Sequence, residues 1–315
     1  MTLLKLTAAQ SLRTPTVNPY AGEPIANWES YANISPQASN GGDQASGEDN
    51  SNPPTYIYSS FGVVRPVFPS LSIEKEFYQI APPDSPTPPS KELLFEVVSQ
   101  TENLYLARQL CWVLTIAQID SYILEPTSEA QLLYLIAAIR QVQNPLNQPV
   151  ITAIGSLGKM APSGACNGLE LPIVSASKLS YVSPNQFIRA IVEELDSSSE
   201  ENALTVVGKL WSLAINPGNT EKYRALNFVL TDYLDVYLES YKLLYPTNTS
   251  DPTYELTGIR TTPALLQGNQ KIYNVIFSYQ PTSTGVSKEK YCQVDVTTEF
   301  PYIVMPFADY IASYN

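Results

Sequence analysis

The sequence offers few candidates for catalytic or metal-binding residues, and none of its 315 residues is a histidine. Ser-His-Asp triads, Cys-His dyads and histidine-ligated metals are therefore excluded. The strongest remaining candidates are Cys111, Cys166 and Cys292. Zinc sites normally include a close-spaced ligand pair, whereas these three cysteines are far apart. The spacing favours buried core thiols, and convergence of all three on one zinc ion is the open alternative.

The segment 155–168, GSLGKMAPSGACNG, is a second candidate. It lies between two predicted strands, PVITAI and LPIVSA, and structureless loops of this length are often functional. Cys166 could act there as a nucleophile, but Lys159 or a helix terminus would have to activate it in place of a histidine. The glycines do not match a phosphate-binding loop, so an ordinary surface loop is the simpler interpretation.

Three carboxylates, those of Asp232, Asp235 and Glu239, are spaced i, i+3 and i+7 on a predicted long helix. This spacing places them on one helix face, where they could support acid–base chemistry or bind a metal. The simpler interpretation is a solvated face opposite the tyrosine and leucine stripe.

Charge limits the possible partners. Thirty acidic and 18 basic side chains give a net charge of −12, which argues against nucleic acids and anionic membrane surfaces. No signal peptide and no apolar run long enough for a membrane span is present. The three widely spaced cysteines do not resemble the disulfide framework of a small secreted protein. We therefore expect a cytoplasmic protein.

The elements that would position these residues predict an α+β fold with small antiparallel or mixed sheets and a long antiparallel helical hairpin. Residues 1–54 read as a disordered arm, in which Trp28, Tyr31 and Ile34 could form a short docking helix. Residues 55–198 are predicted to form an α+β subdomain. Residues 199–315 are predicted to combine the hairpin with a C-terminal β subdomain.

The predicted hairpin spans residues 199–245, and its second helix carries more apolar side chains than one buried stripe requires. Phe228, Val229, Leu234, Val236 and Leu238 form this surplus. They must be buried against the sheet or against a second copy of the chain. The tyrosine content of the hairpin favours an interface, so we expect a homodimer.

Several segments together resemble a known family. They are TYIYSSFGVVRPVFPSLSIEKEFYQ, YLARQLCWVLTIAQIDSYIL, CNGLELPIV, EKYRALNFVLTDYLDVYLES and KYCQVDVTTEFPYIV. They are similar to the C-terminal domain of unknown function of the cyanobactin-maturation proteins PatG and PatA. The resemblance extends from about residue 55 to about residue 307.

The resemblance implies an accessory, non-catalytic role in the maturation of ribosomally made peptides in a cyanobacterial pathway. The implied partners are a precursor peptide or a subtilisin-like maturation protease, and an exposed strand edge could bind either as an extended segment. No segment here resembles the protease domains, so peptide cleavage and cyclisation are not expected. The family supplies no catalytic, cofactor or metal residues to transfer. A Cys166-dependent enzyme and a purely structural dimer module are the alternatives.

Overall fold

The computed structural model describes residues 55–140, 150–195, 198–264 and 269–311. Within these residues the predicted α+β class is confirmed, with eight α-helices and nine strands. The predicted arm, with Trp28, Tyr31 and Ile34, lies outside the described residues. The predicted subdomain boundary between residues 198 and 199 stays a prediction.

The helices are α1 Leu71–Ile80, α2 Lys91–Val98, α3 Leu104–Ala107, α4 Glu129–Ala138, α5 Pro184–Glu194, α6 Glu200–Ser212, α7 Glu221–Asp232 and α8 Asp235–Leu244. The strands are β1 Tyr56–Val67, β2 Cys111–Ile116, β3 Ile119–Pro126, β4 Val150–Met160, β5 Pro172–Val182, β6 Tyr254–Pro263, β7 Ile272–Pro281, β8 Lys288–Asp295 and β9 Tyr302–Asp309.

Local signals explain where several helices begin. The side chains of Ser70, Ser90 and Ser128 accept hydrogen bonds from the third backbone N–H of α1, α2 and α4, as is typical of serine at the N-cap. Pro184 occupies the first turn of α5, where its missing N–H costs nothing. The apolar run of residues 106–116, LARQLCWVLTI, predicts a buried strand over its whole length. That prediction was wrong at its start, because residues 106 and 107 belong to the short helix α3 and the strand begins only at Cys111.

The first five strands close into a small barrel in the order β1-β2-β3-β5-β4, with β4 pairing back to β1. Only the β3–β5 pair is parallel. The β2–β3 hairpin turns at Ala117 and Gln118, both with positive φ, as its tight two-residue turn requires. Helices α1 to α4 share one apolar core with the barrel, around Phe77, Trp112 and Leu135.

The last four strands form an antiparallel sheet in the order β6-β7-β8-β9. Side chains from one face of this sheet, among them Phe277 and Val294, share a second core with α5 to α8. The surplus apolar side chains of the predicted hairpin pack into or against this core. They therefore give no support to a homodimer through the hairpin, and the homodimer stays a prediction.

The predicted long helix is in fact two helices, because the backbone of Tyr233 is extended (φ −124°, ψ 95°) between α7 and α8. The break leaves helix carbonyls without their usual partners. The Tyr237 hydroxyl supplies one substitute, since it donates to the Leu230 carbonyl at 2.6 Å. Helix α6 packs against α5 and α8.

Helix α7 joins the barrel to the second sheet through buried polar contacts. On the barrel side, the Asn227 amide donates to the Tyr58 carbonyl at 2.7 Å, and the Tyr58 hydroxyl bonds Thr231 Oγ1 at 2.9 Å. On the sheet side, the Arg224 guanidinium donates to the carbonyls of residues 296, 298 and 299, which follow β8. One helix therefore sets the position of both.

The connection before α7 completes this junction. Strand β1 pairs with β2 only from Val63 onward. At Tyr58, the backbone N–H instead donates to the Gly218 carbonyl at 3.0 Å. Asn216 and Asn227 exchange side-chain hydrogen bonds of 2.7 and 3.1 Å, and Asn216 also accepts from the Gly218 N–H. Both asparagines are buried, so this satisfied network fixes the connection.

We predict that Gly218→Ala lowers the free energy of unfolding by about 2–4 kcal/mol. Gly218 has φ +71°, and an added Cβ would lie 2.0 Å from the Tyr58 carbonyl oxygen. The matched control is Gly208→Ala on the exposed side of α6, where the Cβ meets no atom within 4 Å and should stabilise the helix by about 0.5–1 kcal/mol. Urea unfolding of both variants measures the difference, and equal stabilities would contradict the prediction.

Candidate functional site

The cysteines do not converge on one site. Cys111 and Cys166 form a disulfide, so the expectation of three free core thiols was wrong for this pair. Sequence spacing could not reveal the pairing, because 55 residues separate the two cysteines and the fold alone brings them together. Cys292 is free and buried in the second core, where burial raises the pKa of its thiol to about 12. It therefore stays protonated at neutral pH.

The disulfide changes the interpretation of segment 155–168. Residues 155–160 belong to β4, and residues 161–171 form the loop that returns to β5. Cys166, only 6% exposed, holds this loop over an apolar patch that includes Val113 and Ile123. A disulfide sulfur is not a thiolate, so Cys166 cannot act as a nucleophile in this state.

The same loop is not a phosphate cradle. Cys166, Asn167 and Gly168 have successive positive φ angles, a conformation that can point backbone N–H groups at an anion. Here the N–H groups of residues 167, 168 and 169 are already bonded to the carbonyls of Pro69, Ala165 and Cys166. These three N–H groups are therefore not free to bind an anion.

The three carboxylates are also separated. Asp232 ends α7 and accepts from the Tyr58 hydroxyl, whereas Asp235 begins α8 beyond the break. Glu239 pairs with Lys242 at 2.8 Å and Lys290 at 3.3 Å. Burial opposes its ionisation, but the two lysines outweigh that effect and lower the pKa of the carboxyl. The predicted common face was wrong, because the extended Tyr233 interrupts the helix.

No cluster of three or more potential metal ligands occurs in the described part of the chain. Among the same residues, no helix is both long and apolar enough to cross a membrane. A surface cleft of about 300 Å³ lies beside Tyr241 and Tyr245 at the end of α8, away from Cys166. What the structure does present is a sheet with two outer edges, β6 and β9.

The β9 edge is protected. Its pairing with β8 contains two register shifts, and Pro306 has no N–H to donate. The neighbouring Phe307 N–H already donates to the Tyr233 hydroxyl at 2.9 Å. Bulges, prolines and covered donors are the usual means of preventing strand addition.

The outer edge of strand β6 is open over residues 259–263, and we call this segment the β6 edge. The Ala264 N–H donates to the Ile272 carbonyl, so even-numbered residues from 258 to 264 point their backbone groups toward β7. The backbone groups of Ile259, Thr261 and Pro263 consequently point away from the sheet. No hydrogen bond to them from a described residue occurs. The edge therefore offers two donors and three acceptors.

The surroundings of the β6 edge are preformed. On the sheet face away from the helices, Arg260 makes a bidentate pair with Glu289 and donates to Ser278 at 3.2 Å. Its guanidinium also lies over the Tyr310 ring, 5.5 Å from the centroid. On the helix side, Ile259 packs against the second core. The strand is thus held in place by contacts within the domain.

Comparison with known proteins identifies the family. The family model described as PatG Domain matches residues 56–226, more than half of the chain, and the model described as PatG C-terminal matches residues 193–310. The chain belongs to the PatG domain family. A solved structure described as "PatG Domain of Unknown Function" is similar, with a TM-score of 0.64 at 15% identity. The match covers 81% of this chain and 98% of that one, and it shows a shared fold. No curated protein matches the chain.

These matches confirm the resemblance seen in the sequence and name no reaction for this PatG domain. The feature that sequence reasoning missed is β6 itself. Tyr254 and Leu256 face the helices, but the register shifts between Leu256 and Gly258, so the next residue packed on that core is Ile259. The bulge changes the parity of the alternation, which hides the strand from a period-two search.

We predict that Cys111→Ser lowers the free energy of unfolding by about 2–4 kcal/mol, because it opens the 55-residue cross-link. The loss should fall to the smaller cost of placing a hydroxyl at a buried position when wild type and variant are both unfolded in urea with dithiothreitol, since the reductant removes the same bond from wild type. Cys292→Ser is the control: it changes a free buried thiol, so its cost should not depend on the reductant. A Cys111→Ser loss that is equally large in dithiothreitol would contradict the prediction.

Proposed function

We propose that this PatG domain is a non-catalytic accessory domain that binds an extended peptide segment at the β6 edge. The favoured partner is the precursor peptide of a cyanobactin-type maturation pathway, and an extended segment of a subtilisin-like maturation protease is the alternative. The observation that carries the proposal is the row of outward backbone groups at Ile259, Thr261 and Pro263, to which no described residue is hydrogen-bonded. Strand addition to such an edge is a common mode of peptide recognition.

The chemistry of the domain supports binding rather than catalysis. The chain has no histidine, Cys166 is in a disulfide, and the Cys292 thiol is buried and protonated. The described carboxylates are dispersed. The β6 edge is open and the β9 edge is protected. A sheet that binds an added strand on one side only needs this difference between its two edges.

The expected affinity is modest. Five backbone hydrogen bonds at roughly 1 kcal/mol each would set a Kd of about 0.1–1 mM as an upper limit on affinity before side-chain contacts are added, because the lost translational and rotational freedom of the peptide opposes binding. Such a domain would act by raising the local concentration of a peptide near its processing enzymes, since weak tethering contacts gain strength when they are combined.

The cellular location matters for the disulfide. Stable disulfides are typical of oxidising compartments, whereas the sequence predicts a cytoplasmic protein. The cytoplasmic location stays a prediction, and it requires that the Cys111–Cys166 pair survive or be dispensable for folding in a reducing environment.

The test is NMR titration of the full chain with overlapping synthetic peptides that cover the precursor. Binding peptides should shift the amide signals of Ile259 and Thr261 most. Thr261→Pro, which removes an outward N–H, should weaken binding about fivefold or more, as the loss of roughly 1 kcal/mol requires. The matched control is Asp309→Pro on the opposite edge strand, β9, and it should bind like wild type.

Two results would overturn the proposal. One is the absence of binding by every precursor and protease peptide. The other is binding that shifts signals elsewhere and is indifferent to Thr261→Pro.

Light scattering of the full chain, run alongside, tests the predicted homodimer: a mass near 34.7 kDa at all concentrations means a monomer.

A further inference from the structure

We infer that the β6 edge selects its peptide through the backbone, accepting a five-residue extended segment that has N–H groups at three alternate positions and tolerating proline between them. This inference rests on the proposed function and defines the class of peptide that the edge can bind. It depends on which backbone groups face outward and on what limits the edge at each end.

The open part of the strand is short. Upstream, the register shift between Leu256 and Gly258 ends the regular spacing of outward groups, and Glu255 is paired with Lys209 of α6 at 2.9 Å. Downstream, Pro263 is the last outward residue of the described strand, and the Ala264 N–H that follows is bonded to the Ile272 carbonyl. A bound strand therefore finds regular partners along only five residues, 259 to 263.

The edge has more acceptors than donors. The carbonyls of Ile259, Thr261 and Pro263 all face outward, but Pro263 has no N–H. A peptide must therefore donate three N–H groups and accept two. In an antiparallel arrangement, the donors are the residues opposite Ile259, Thr261 and Pro263. A parallel strand also needs three donors at every second residue, so the requirement does not depend on strand direction.

The intervening peptide residues point their N–H groups away from β6. Proline has no donor to lose there and is compatible with the outer edge of a sheet. Side chains at these positions lie beside Arg260 and Thr262, where Arg260 is already bonded by both carboxylate oxygens of Glu289. The edge therefore makes no demand for an acidic peptide.

In the antiparallel arrangement, the donating peptide positions opposite Ile259 and Thr261 direct their side chains toward the helix side of the sheet. Ile259 already packs against the second core, so β-branched or apolar neighbours extend a surface that is partly buried. The class of ligand is thus an extended segment with β-branched or apolar residues at alternate positions and no proline among them.

The experiment uses wild-type full chain and the probe acetyl-Val-Thr-Val-Thr-Val-amide, with five variants that each carry one N-methyl group. Binding is followed from the amide signals of Ile259 and Thr261. We expect N-methylation to weaken binding about tenfold at one alternate set of positions and less than about twofold at the other. Replacing a residue of the tolerant set by proline should also leave binding within about twofold.

The outcomes separate the two claims. Binding at the β6 edge with equal losses at all five positions, or with none, overturns the backbone selection and leaves the proposed function standing. No binding by the probe, when precursor peptides do bind at the edge, also overturns the stated ligand class. If neither the probe nor any precursor or protease peptide binds, the proposed function is overturned, and this inference with it.

Discussion

The structure depends on the buried polar junction at the amino-terminal half of α7. Asn227 bonds the barrel strand β1 at the Tyr58 carbonyl, and the Asn216–Asn227 pair holds the connection that places Gly218 against the same residue. From the preceding turn of α7, Arg224 fixes the segment after β8 through three carbonyls. These groups are buried, so leaving any of them unpaired would cost more than a surface contact gains. The helix is thereby committed to one position between barrel and sheet.

The fixed position of α7 determines which face and which edge of the second sheet are covered. One face is occupied by α7 and α8, and the Tyr233 hydroxyl that follows α7 covers the Phe307 donor on β9. The opposite edge has no comparable cover among the described residues. The asymmetry between a protected β9 and an open β6 follows in part from this hydroxyl and in part from the register shifts and Pro306 of β9, and it is what the proposed addition of a strand on one side requires.

The sequence predicts the elements whose signals are local and misses those set by tertiary contacts. A capping serine and an apolar stripe mark α1, α2 and α4 in the sequence, and alternation of apolar and polar residues marks β7 and β8. The Cys111–Cys166 disulfide and the break at Tyr233 depend on partners far away in the chain. Strand β6 was not predicted because its bulge reverses the alternation of apolar and polar residues, so the candidate site could not be placed from the sequence. The sequence suggested strand addition only as a hypothesis.

Amide hydrogen exchange along β6, measured by NMR on the protein without ligand, tests the central claim most directly. An open edge predicts rapid exchange at the outward Ile259 and Thr261 amides, together with slow exchange at Arg260 and Thr262, whose N–H groups point toward β7. The alternation itself is the signature, because neighbouring residues share the same local stability. Slow exchange at Ile259 and Thr261, equal to that of Arg260 and Thr262, would mean that the edge is already covered and would contradict the account.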